Sequence, residues 1–256
     1  MHIVDSLWTG YLLYFKFMRY TTLTYNLHYN KASQELRSVL KESNPDIIFL
    51  QELATDEESM EAIMGTGYEL ADFSNSFLRG KKIFGVATFY KTSLFTVHKT
   101  KSFNLPSSVI QIITFLLKNR TNPRTVLRTD FLVKKTKQPL CTYNIHFSPI
   151  ATNSLRIKQL KNTLEDLAVS AKSPLIIAGD FNYPYGRKKL EEILKKYHLE
   201  EATNNLFFTS RQIFFKRFAV KLKLDYVFYR NLKLVSNKRV EVFHSDHFPI
   251  LSEFEV

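Results

Sequence analysis

The chain has 256 residues, a length that suits one large domain, and 45% of them are hydrophobic, which is enough to bury an extensive core. Its formal net charge of +12 indicates a surface that attracts polyanions: nucleic acid, anionic lipid headgroups or phosphorylated small molecules. The single cysteine, Cys141, excludes an intrachain disulfide. A reducing compartment agrees with that, so we expect a cytoplasmic protein, with a secreted or peripheral membrane protein as the alternatives.

Residues 1–18 form a hydrophobic extension, and we place the main domain at residues 19–256. The apolar run from Leu7 to Phe15 is too short to span a bilayer, and it lacks the features of a secretory signal. Three interpretations stay open. The extension is dispensable and translation begins at Met18, or it is a packed helix, or residues 7–18 contact a membrane surface as an interfacial helix.

The first part of the main domain predicts a strand, a helix and a second strand. Tyr20 to Leu27 is rich in β-formers and ends near Asn26. A helix over Ala32 to Lys41 follows, and then the apolar run Ile47 to Leu50. A run of this kind is buried on both faces, so Glu52 at its end is either solvated or holding a cation.

Shorter elements come next. Thr55 begins a Thr-x-x-Glu capping box that predicts a short helix through Met64. Gly85 to Tyr90 and Leu94 to His98 predict two short strands. The apolar segment Val109 to Leu117 is either a peripheral helix or an exposed substrate loop.

Two predicted strands then bring polar residues to a strand end. They cover Thr125 to Val133 and Leu140 to Phe147, and the second places Asn144 and His146 on one face near its end. A histidine in such a place is more often structural than catalytic. An amphipathic helix over Leu155 to Ala168 follows.

The stretch Leu175 to Pro184 is the most informative part of the chain. Its apolar residues predict a buried strand that stops at Gly179. Beyond it Asp180 and Asn182 are two positions apart, so both face one site while Phe181 packs behind them. The alternative is an Asx turn in which both side chains only cap backbone N–H groups.

A helix over Arg187 to Tyr197 leads to a segment, Arg211 to Lys223, in which basic and aromatic residues alternate. This mixture suits backbone phosphates and stacked bases, but it also suits a membrane surface or a half-buried strand. The candidate contacts are Arg211, Lys216 and Arg217.

The last part of the chain places an acid inside an apolar strand, Leu224 to Tyr229. Burying a carboxylate is costly without a partner, so Asp225 should be holding something. His247 follows an acid in a turn between predicted strands at Val240 to Phe243 and Ile250 to Val256. Asp225 could bond one ring nitrogen of His247, fix its tautomer and raise the basicity of the other nitrogen.

Six short motifs follow one another along the chain: Tyr25-Asn26, Leu50-Gln51-Glu52, Asn144-Ile145-His146, Gly179-Asp180-Phe181-Asn182, Leu224-Asp225-Tyr226 and Ser245-Asp246-His247. In this order they resemble the signature of the endonuclease/exonuclease/phosphatase superfamily, which includes DNase I-like and sphingomyelinase-like phosphoesterases. The resemblance implies a DNase I-like α/β fold: a four-layer α/β/β/α sandwich of two packed mixed sheets flanked by helices.

The resemblance also implies a role for each polar residue in the motifs. Oxygen ligands without cysteine favour Mg²⁺ or Mn²⁺ over zinc. The implied metal ligands are Asn26, Glu52 and Asp246; the implied catalytic residues are His146, Asp180, Asn182, Asp225 and His247; Asn144 joins Arg211, Lys216 and Arg217 as a candidate substrate contact.

Two positions depart from the family's pattern. Relatives with a histidine at the His146 position often hold it with a glutamate before a Pro-Arg pair, whereas this chain has Asn122 before Pro123 and Arg124. Phe248 replaces an arginine that many members carry, which we expect to remove a charge from the rim of the site.

The predicted function is a divalent-metal-dependent phosphodiester hydrolase, an endonuclease-like enzyme acting on nucleic acid and working as a monomer. A first alternative keeps the site and changes the substrate to a phospholipid, sphingomyelin or a phosphorylated small molecule. A second alternative is a binding module without catalytic activity.

Overall fold

Two six-stranded sheets and four helices make up most of the computed structural model, which describes residues 18–107, 124–166, 173–214 and 218–256. The predictions for residues 1–17 and for Val109 to Leu117 lie outside these ranges. The helices are α1 (Ser33–Ser43), α2 (Glu57–Met64), α3 (Asn153–Glu165) and α4 (Arg187–Lys196). The strands are β1 (Arg19–Asn26), β2 (Ile47–Ala54), β3 (Glu69–Arg79), β4 (Lys82–Tyr90), β5 (Phe95–Asn104), β6 (Thr125–Val133), β7 (Pro139–His146), β8 (Leu175–Asp180), β9 (Glu200–Glu201), β10 (Ser210–Phe214), β11 (Phe218–Leu222), β12 (Asp225–Arg230), β13 (Lys233–Arg239) and β14 (Ile250–Glu255).

Both large sheets are mixed. The first has the order β13-β14-β1-β2-β4-β3, in which β1 and β2 are parallel and the other pairs antiparallel. The second has the order β5-β6-β7-β8-β12-β9, in which only β7 and β8 are parallel. Strands β10 and β11 form a separate hairpin.

The inner faces of the two sheets pack against each other. Phe49 and Phe254 from the first sheet share a buried cluster with Phe131, Ile176 and Val227 from the second. The central strands β2 and β8 are buried along their whole length, which explains their nearly continuous apolar sequences.

Helices cover both outer faces. Leu36 of α1 and Ile63 of α2 pack on the first sheet, and Leu160 of α3 and Leu190 of α4 pack on the second. The predicted four-layer α/β/β/α arrangement is therefore confirmed. Among the described residues, no helix combines the length and the apolar character that crossing a bilayer requires.

The cap of α2 differs from the prediction. Asp56, and not Thr55, precedes the helix, and its carboxylate accepts a hydrogen bond from the Ser59 amide at 2.9 Å. The Thr55 hydroxyl instead donates to Asn75 of β3 at 2.7 Å. An ionised carboxylate at this position also interacts favourably with the helix dipole, so Asp56 is the better cap.

Two strand predictions also differ. Strand β3 was not predicted, because most of its side chains are exposed or half-buried and its sequence lacks a clear apolar alternation. The predicted strand at Val240 to Phe243 is wrong, because β13 ends at Arg239. Beyond that point the Phe243 amide donates to Glu35 of α1, so the chain has left the sheet and lies against this helix.

Gly179 allows β7 and β8 to approach each other closely at the edge of their sheet. Its φ is +141°, and a Cβ there would lie 2.0 Å from the carbonyl oxygen of Ile145. Only glycine fits this position without moving the backbone. The residue that follows, Asp180, is therefore placed by a tight contact between parallel strands.

Candidate active site

Polar strand ends from both sheets meet at one edge of the sandwich. In the second sheet, His146 at the end of β7 and Asp225 at the start of β12 are the register partners of Asp180 on β8. From the first sheet, the Asn26 amide at the end of β1 donates to the Asp180 carboxylate at 3.0 Å. Asp180 thus lies where the two sheets meet.

Asp225 and His247 form a buried pair. Nδ1 of His247 lies 2.8 Å from Asp225 Oδ2, and the Thr209 hydroxyl donates to the same oxygen at 2.8 Å. The predicted contact between these residues is confirmed. Burial by itself disfavours the charged ring, but the carboxylates of Asp225 and Asp180 outweigh it and raise the pKa of His247 to about 10. The ring is therefore an imidazolium at neutral pH, and its Nε2 lies 3.8 Å from Asp180.

Asp180 is fully enclosed and oriented by its neighbours. The backbone amide of Asn182 donates to it at 2.8 Å, and the Asn182 side-chain amide donates at 3.0 Å. Burial raises the pKa of Asp180, and the nearby charges of Asp225 and Glu52 act in the same direction. Asp180 and Asn182 face one cavity while Phe181 packs behind them against Phe147, as predicted. The strand does not continue, however: Asn182 has a φ of 49°, and its amide bond to Asp180 closes the Asx turn that was the alternative.

Glu52 lies in a left-handed backbone conformation, with φ of 54°, where β2 has a bulge opposite β4. The turn that follows β1 bends around Glu52, and its three successive residues His28, Tyr29 and Asn30 also have positive φ. The Tyr29 amide donates to the Glu52 carboxylate at 3.0 Å. Burial raises the pKa of Glu52, and the Asp246 carboxylate adds to the effect. Such local strain is typical of functional sites.

His146 faces the same carboxylates from behind. Its Nε2 lies 3.6 Å from Glu52 and 3.6 Å from Asp180. Nη1 of Arg124 lies 3.0 Å from its Nδ1, and the guanidinium stacks on Phe77. Burial, followed by the charge of Arg124, lowers the pKa of His146 well below its usual value, so the ring is neutral. Arg124 thus orients His146.

These side chains surround a cavity of about 470 Å³. Asp246 lines it, and its carboxylate lies 2.9 Å from Nδ1 of His28. Arg79 and Arg156 add positive charge to the walls. The predicted residues in the lining are Asn26, Glu52, Asp180, Asn182, Asp246 and His247, whereas Asp225 and His146 support it from behind.

The donor set suits a hard divalent cation. Glu52 and Asp180 are carboxylates that lie in one pocket, and burial, the largest cause, raises the pKa of both. A divalent ion among these oxygen donors would stabilise their charged forms. Within the described residues, Asp180, Asp225 and His247 also offer three ligand atoms within 4.8 Å of one another.

Three of the predicted substrate contacts are placed elsewhere or not described. Asn144 is completely buried between the sheets, where its amide bonds Gln51, Leu50 and Ala87, so nothing remains for a substrate. Lys216 and Arg217 lie outside the described residues. Phe248 is buried and does not reach the rim, because it packs against Phe208.

Arg211 is exposed on the hairpin of β10 and β11. Its segment therefore forms strands, but most of its described side chains are exposed and not half-buried as that interpretation has it. The backbone amide of Arg211 donates to the Asp246 carbonyl at 2.7 Å. Asp246 lies directly before His247 in the loop that leads to β14. Directly after His247 in the same loop, the Phe248 amide donates to the carbonyl of Thr209, the residue before β10, at 2.8 Å. The hairpin is therefore bonded directly to the loop that presents His247.

A sequence model of the Endonuclease/Exonuclease/phosphatase family matches residues 23–247. The match spans all six motifs, and the chain belongs to this family. Its members are phosphoester hydrolases and typically depend on a divalent metal. The family resemblance predicted from the motifs is confirmed.

Curated relatives match part of the chain. A UPF0294 protein of Vibrio campbellii is 31% identical over 120 residues, which are 46% of this chain and 40% of that protein. A UPF0294 protein of Vibrio vulnificus is 27% identical over 136 residues, which are 52% of this chain and 45% of that protein. The chain spans less than half the length of these relatives.

Solved structures match nearly the whole chain. An endonuclease/exonuclease/phosphatase family protein of Bacteroides thetaiotaomicron superposes with a TM-score of 0.74 at 16% identity, covering 94% of this chain and 99% of that one. The human Nocturnin catalytic domain with bound sulfate superposes with a TM-score of 0.73 at 17% sequence identity, and the match covers 92% of this chain and 94% of that one. A mannosyl-6-phosphatase of Bacteroides thetaiotaomicron superposes with a TM-score of 0.70 at 16% sequence identity, and the match covers 92% of this chain and 99% of that one. At these identities the likeness establishes the fold alone.

Proposed function

We propose that this protein is a divalent-metal-dependent phosphodiester hydrolase that acts on nucleic acid. One observation carries the proposal: a charged His247, held by Asp225, faces Asp180 in the cavity that Glu52 also lines. A proton donor, an oriented carboxylate and a metal-binding acid thus meet in one pocket. That combination is what hydrolysis of a phosphate ester requires.

A phosphodiester is an anion that repels a nucleophile, so the site must supply positive charge and align a water molecule. His247 is protonated at neutral pH. Its Nε2 donates a hydrogen bond to a phosphate oxygen and stabilises the charge that develops there. Asp180 accepts a proton from the attacking water, in an orientation that Asn182 fixes. A Mg²⁺ or Mn²⁺ ion held by Glu52 with Asn26 and Asp246 would neutralise phosphate charge and lower the pKa of bound water.

Nucleic acid is supported as the substrate by charge. The chain has a formal net charge of +12, and Arg79 and Arg156 add guanidinium groups to the cavity walls. Planar guanidinium groups bind phosphate in a bidentate geometry. The features that favoured a lipid substrate, Leu7 to Phe17 and Val109 to Leu117, lie outside the described structure, so we do not propose that alternative.

A substrate panel tests the proposal. Plasmid DNA, an abasic duplex, RNA, sphingomyelin, inositol phosphates and a chromogenic diester would each be incubated with Mg²⁺, with Mn²⁺ and with EDTA. We expect metal-dependent cleavage of the nucleic acids and the diester, abolished by EDTA. We also expect Asp180→Ala and His247→Ala each to lower the rate on the order of 10²-fold or more. Undiminished cleavage by either variant would contradict the mechanism.

A further inference from the structure

Arg156 of α3 is a buried cation on the wall of the active-site cavity. Only 6% of its surface is exposed, and it is among the residues that line the cavity. Its guanidinium is held rigidly by three acceptors: Nε donates to the Ser148 carbonyl at 3.1 Å, Nη1 to the Asn153 amide oxygen at 2.7 Å, and Nη2 to the Pro149 carbonyl at 2.6 Å.

All three acceptors are neutral. Within the described parts of the chain, no carboxylate forms an ion pair with Arg156. Burial lowers the pKa of Arg156, and the more distant charge of Asp180 opposes that effect only in part. A buried charge is costly when no counter-charge accompanies it, so this arrangement needs an explanation beyond fold stability.

The guanidinium also keeps unused donors. It has five N–H groups, and the three bonds use one each from Nε, Nη1 and Nη2. Counting acceptors from the described residues, one N–H on each terminal nitrogen therefore remains. Two such groups on a planar fork match two oxygens of a phosphate, which is the bidentate geometry that arginine favours.

Two other arginines near the site, Arg124 and Arg79, each lack one of the properties of Arg156. Arg124 is also buried, but it faces His146 and Phe77 behind the cavity. Arg79 lines the cavity, but it is exposed and its guanidinium stacks on the Tyr29 ring at 3.6 Å. Arg156 alone of these three combines burial, rigid support and a place on the cavity wall.

We propose that Arg156 forms a second phosphate subsite, which binds the non-scissile phosphate next to the one that is cleaved. The subsite rests on the proposed function, because His247 and Asp180 must hold the scissile phosphate. It refines the substrate class: the enzyme favours a strand with consecutive phosphates over an isolated diester. Arg156 is a binding residue here and takes no part in proton transfer.

The test compares two dinucleotides that differ by one phosphate: thymidylyl-thymidine, TpT, and its 5′-phosphorylated form, pTpT. Rates would be measured with Mg²⁺ or Mn²⁺ for the wild type, Arg156→Gln and Arg156→Lys. The matched control is Lys158→Gln, which removes one positive charge from the exposed face of the same helix. Circular dichroism and thermal melting would establish that each variant is folded.

We expect the wild type to favour pTpT in kcat/KM by on the order of tenfold or more, the range of one charge-assisted interaction. The difference should appear mainly in KM. Arg156→Gln should remove this preference, Arg156→Lys should keep part of it, and Lys158→Gln should retain all of it. Equal rates for both dinucleotides in the wild type, or an intact preference in Arg156→Gln, would refute the subsite.

A binding measurement separates this inference from the proposed function. Calorimetric titration of pTpT and TpT in EDTA reports on affinity without hydrolysis. Tighter binding of pTpT that is lost in Arg156→Gln supports the subsite even if the wild type cleaves no diester, a result that would count against the proposed function. Equal affinities in the wild type would count against the subsite whatever the activity.

Discussion

Nδ1 of His247 donates a hydrogen bond to Asp225 at 2.8 Å, and each residue leaves only a few per cent of its surface exposed. We expect Asp225→Asn to lower kcat/KM for a chromogenic diester by on the order of 10²- to 10⁴-fold. The amide would remove the negative charge that keeps the ring protonated, and its NH₂ group could force the other tautomer. A steady-state assay with Mg²⁺ or Mn²⁺ measures the effect.

The control for this prediction is His244→Gln, because His244 lies in the same loop with 69% of its side chain exposed. It should change the rate less than about twofold, as surface substitutions away from a site usually do. Wild-type activity in Asp225→Asn would show that the carboxylate of Asp225 is not needed to keep His247 protonated and oriented for catalysis.

Glu52→Gln should weaken cation binding. The substitution keeps the shape and removes one charge from a set of oxygen donors, so we expect the dissociation constant for Mn²⁺ to rise on the order of tenfold or more. Calorimetric titration of the protein with MnCl₂ measures it directly. Glu61→Gln, on the exposed face of α2, is the matched control and should bind Mn²⁺ as the wild type does. Equal affinity in both variants would exclude Glu52 as a ligand.

Gly179→Ala should destabilise the protein strongly. The new methyl group would lie 2.0 Å from the Ile145 carbonyl oxygen at a φ of +141°, so β7 and β8 would have to separate. We expect a loss of about 3 kcal/mol or more in the free energy of unfolding, measured by urea denaturation.

Gly67→Ala separates conformational strain from the clash at Gly179. Gly67 also has a positive φ, +94°, but nothing lies within 4 Å of its added Cβ. The strain of the backbone alone should cost about 1 kcal/mol. Similar losses for both variants would mean that the close approach of the strands at Gly179 is not what the glycine serves.

Glu201 should make stability depend on pH. Its side chain is 4% exposed and pairs with Arg187 and with Lys223, the latter at 2.7 Å. Burial acts to raise its pKa, but the bonds from both cations outweigh burial and lower the pKa below the usual 4.5. A depressed folded-state pKa means that the stabilisation is complete above pH 4.5 and is lost as pH falls through the folded value.

Urea denaturation at several pH values tests this. At pH 7 we expect Glu201→Gln to be less stable than the wild type by about 1–3 kcal/mol, with a difference that shrinks as the pH falls below 4.5. Glu192→Gln, an exposed position on α4, should stay within about 0.5 kcal/mol at every pH. A difference between Glu201→Gln and the wild type that does not change with pH would rule out this linkage.

The sequence predicted best the strands that are buried along their whole length and the helices with one clear buried face. Strands β2 and β8 and helix α3 were placed within a few residues, because continuous or helically spaced apolar residues leave few alternatives. The contact between Asp225 and His247 was also predictable, since an acid inside an apolar strand requires a partner.

Other features depend on tertiary contacts that leave little trace in local sequence. Strand β3 has mostly exposed or half-buried residues, and β4 decides its conformation by pairing with it. Arg124 and Arg156 were not predicted as parts of the site. The first is recognisable only once His146 lies beside it, and the second only once the cavity opens next to α3.

The bonds between the β10–β11 hairpin and the His247 loop link two regions that are distant from each other in sequence. Because these backbone hydrogen bonds join the hairpin region to the residues directly before and after His247, the hairpin cannot move away without breaking them. A ligand that displaces the hairpin would therefore also displace the backbone that carries His247.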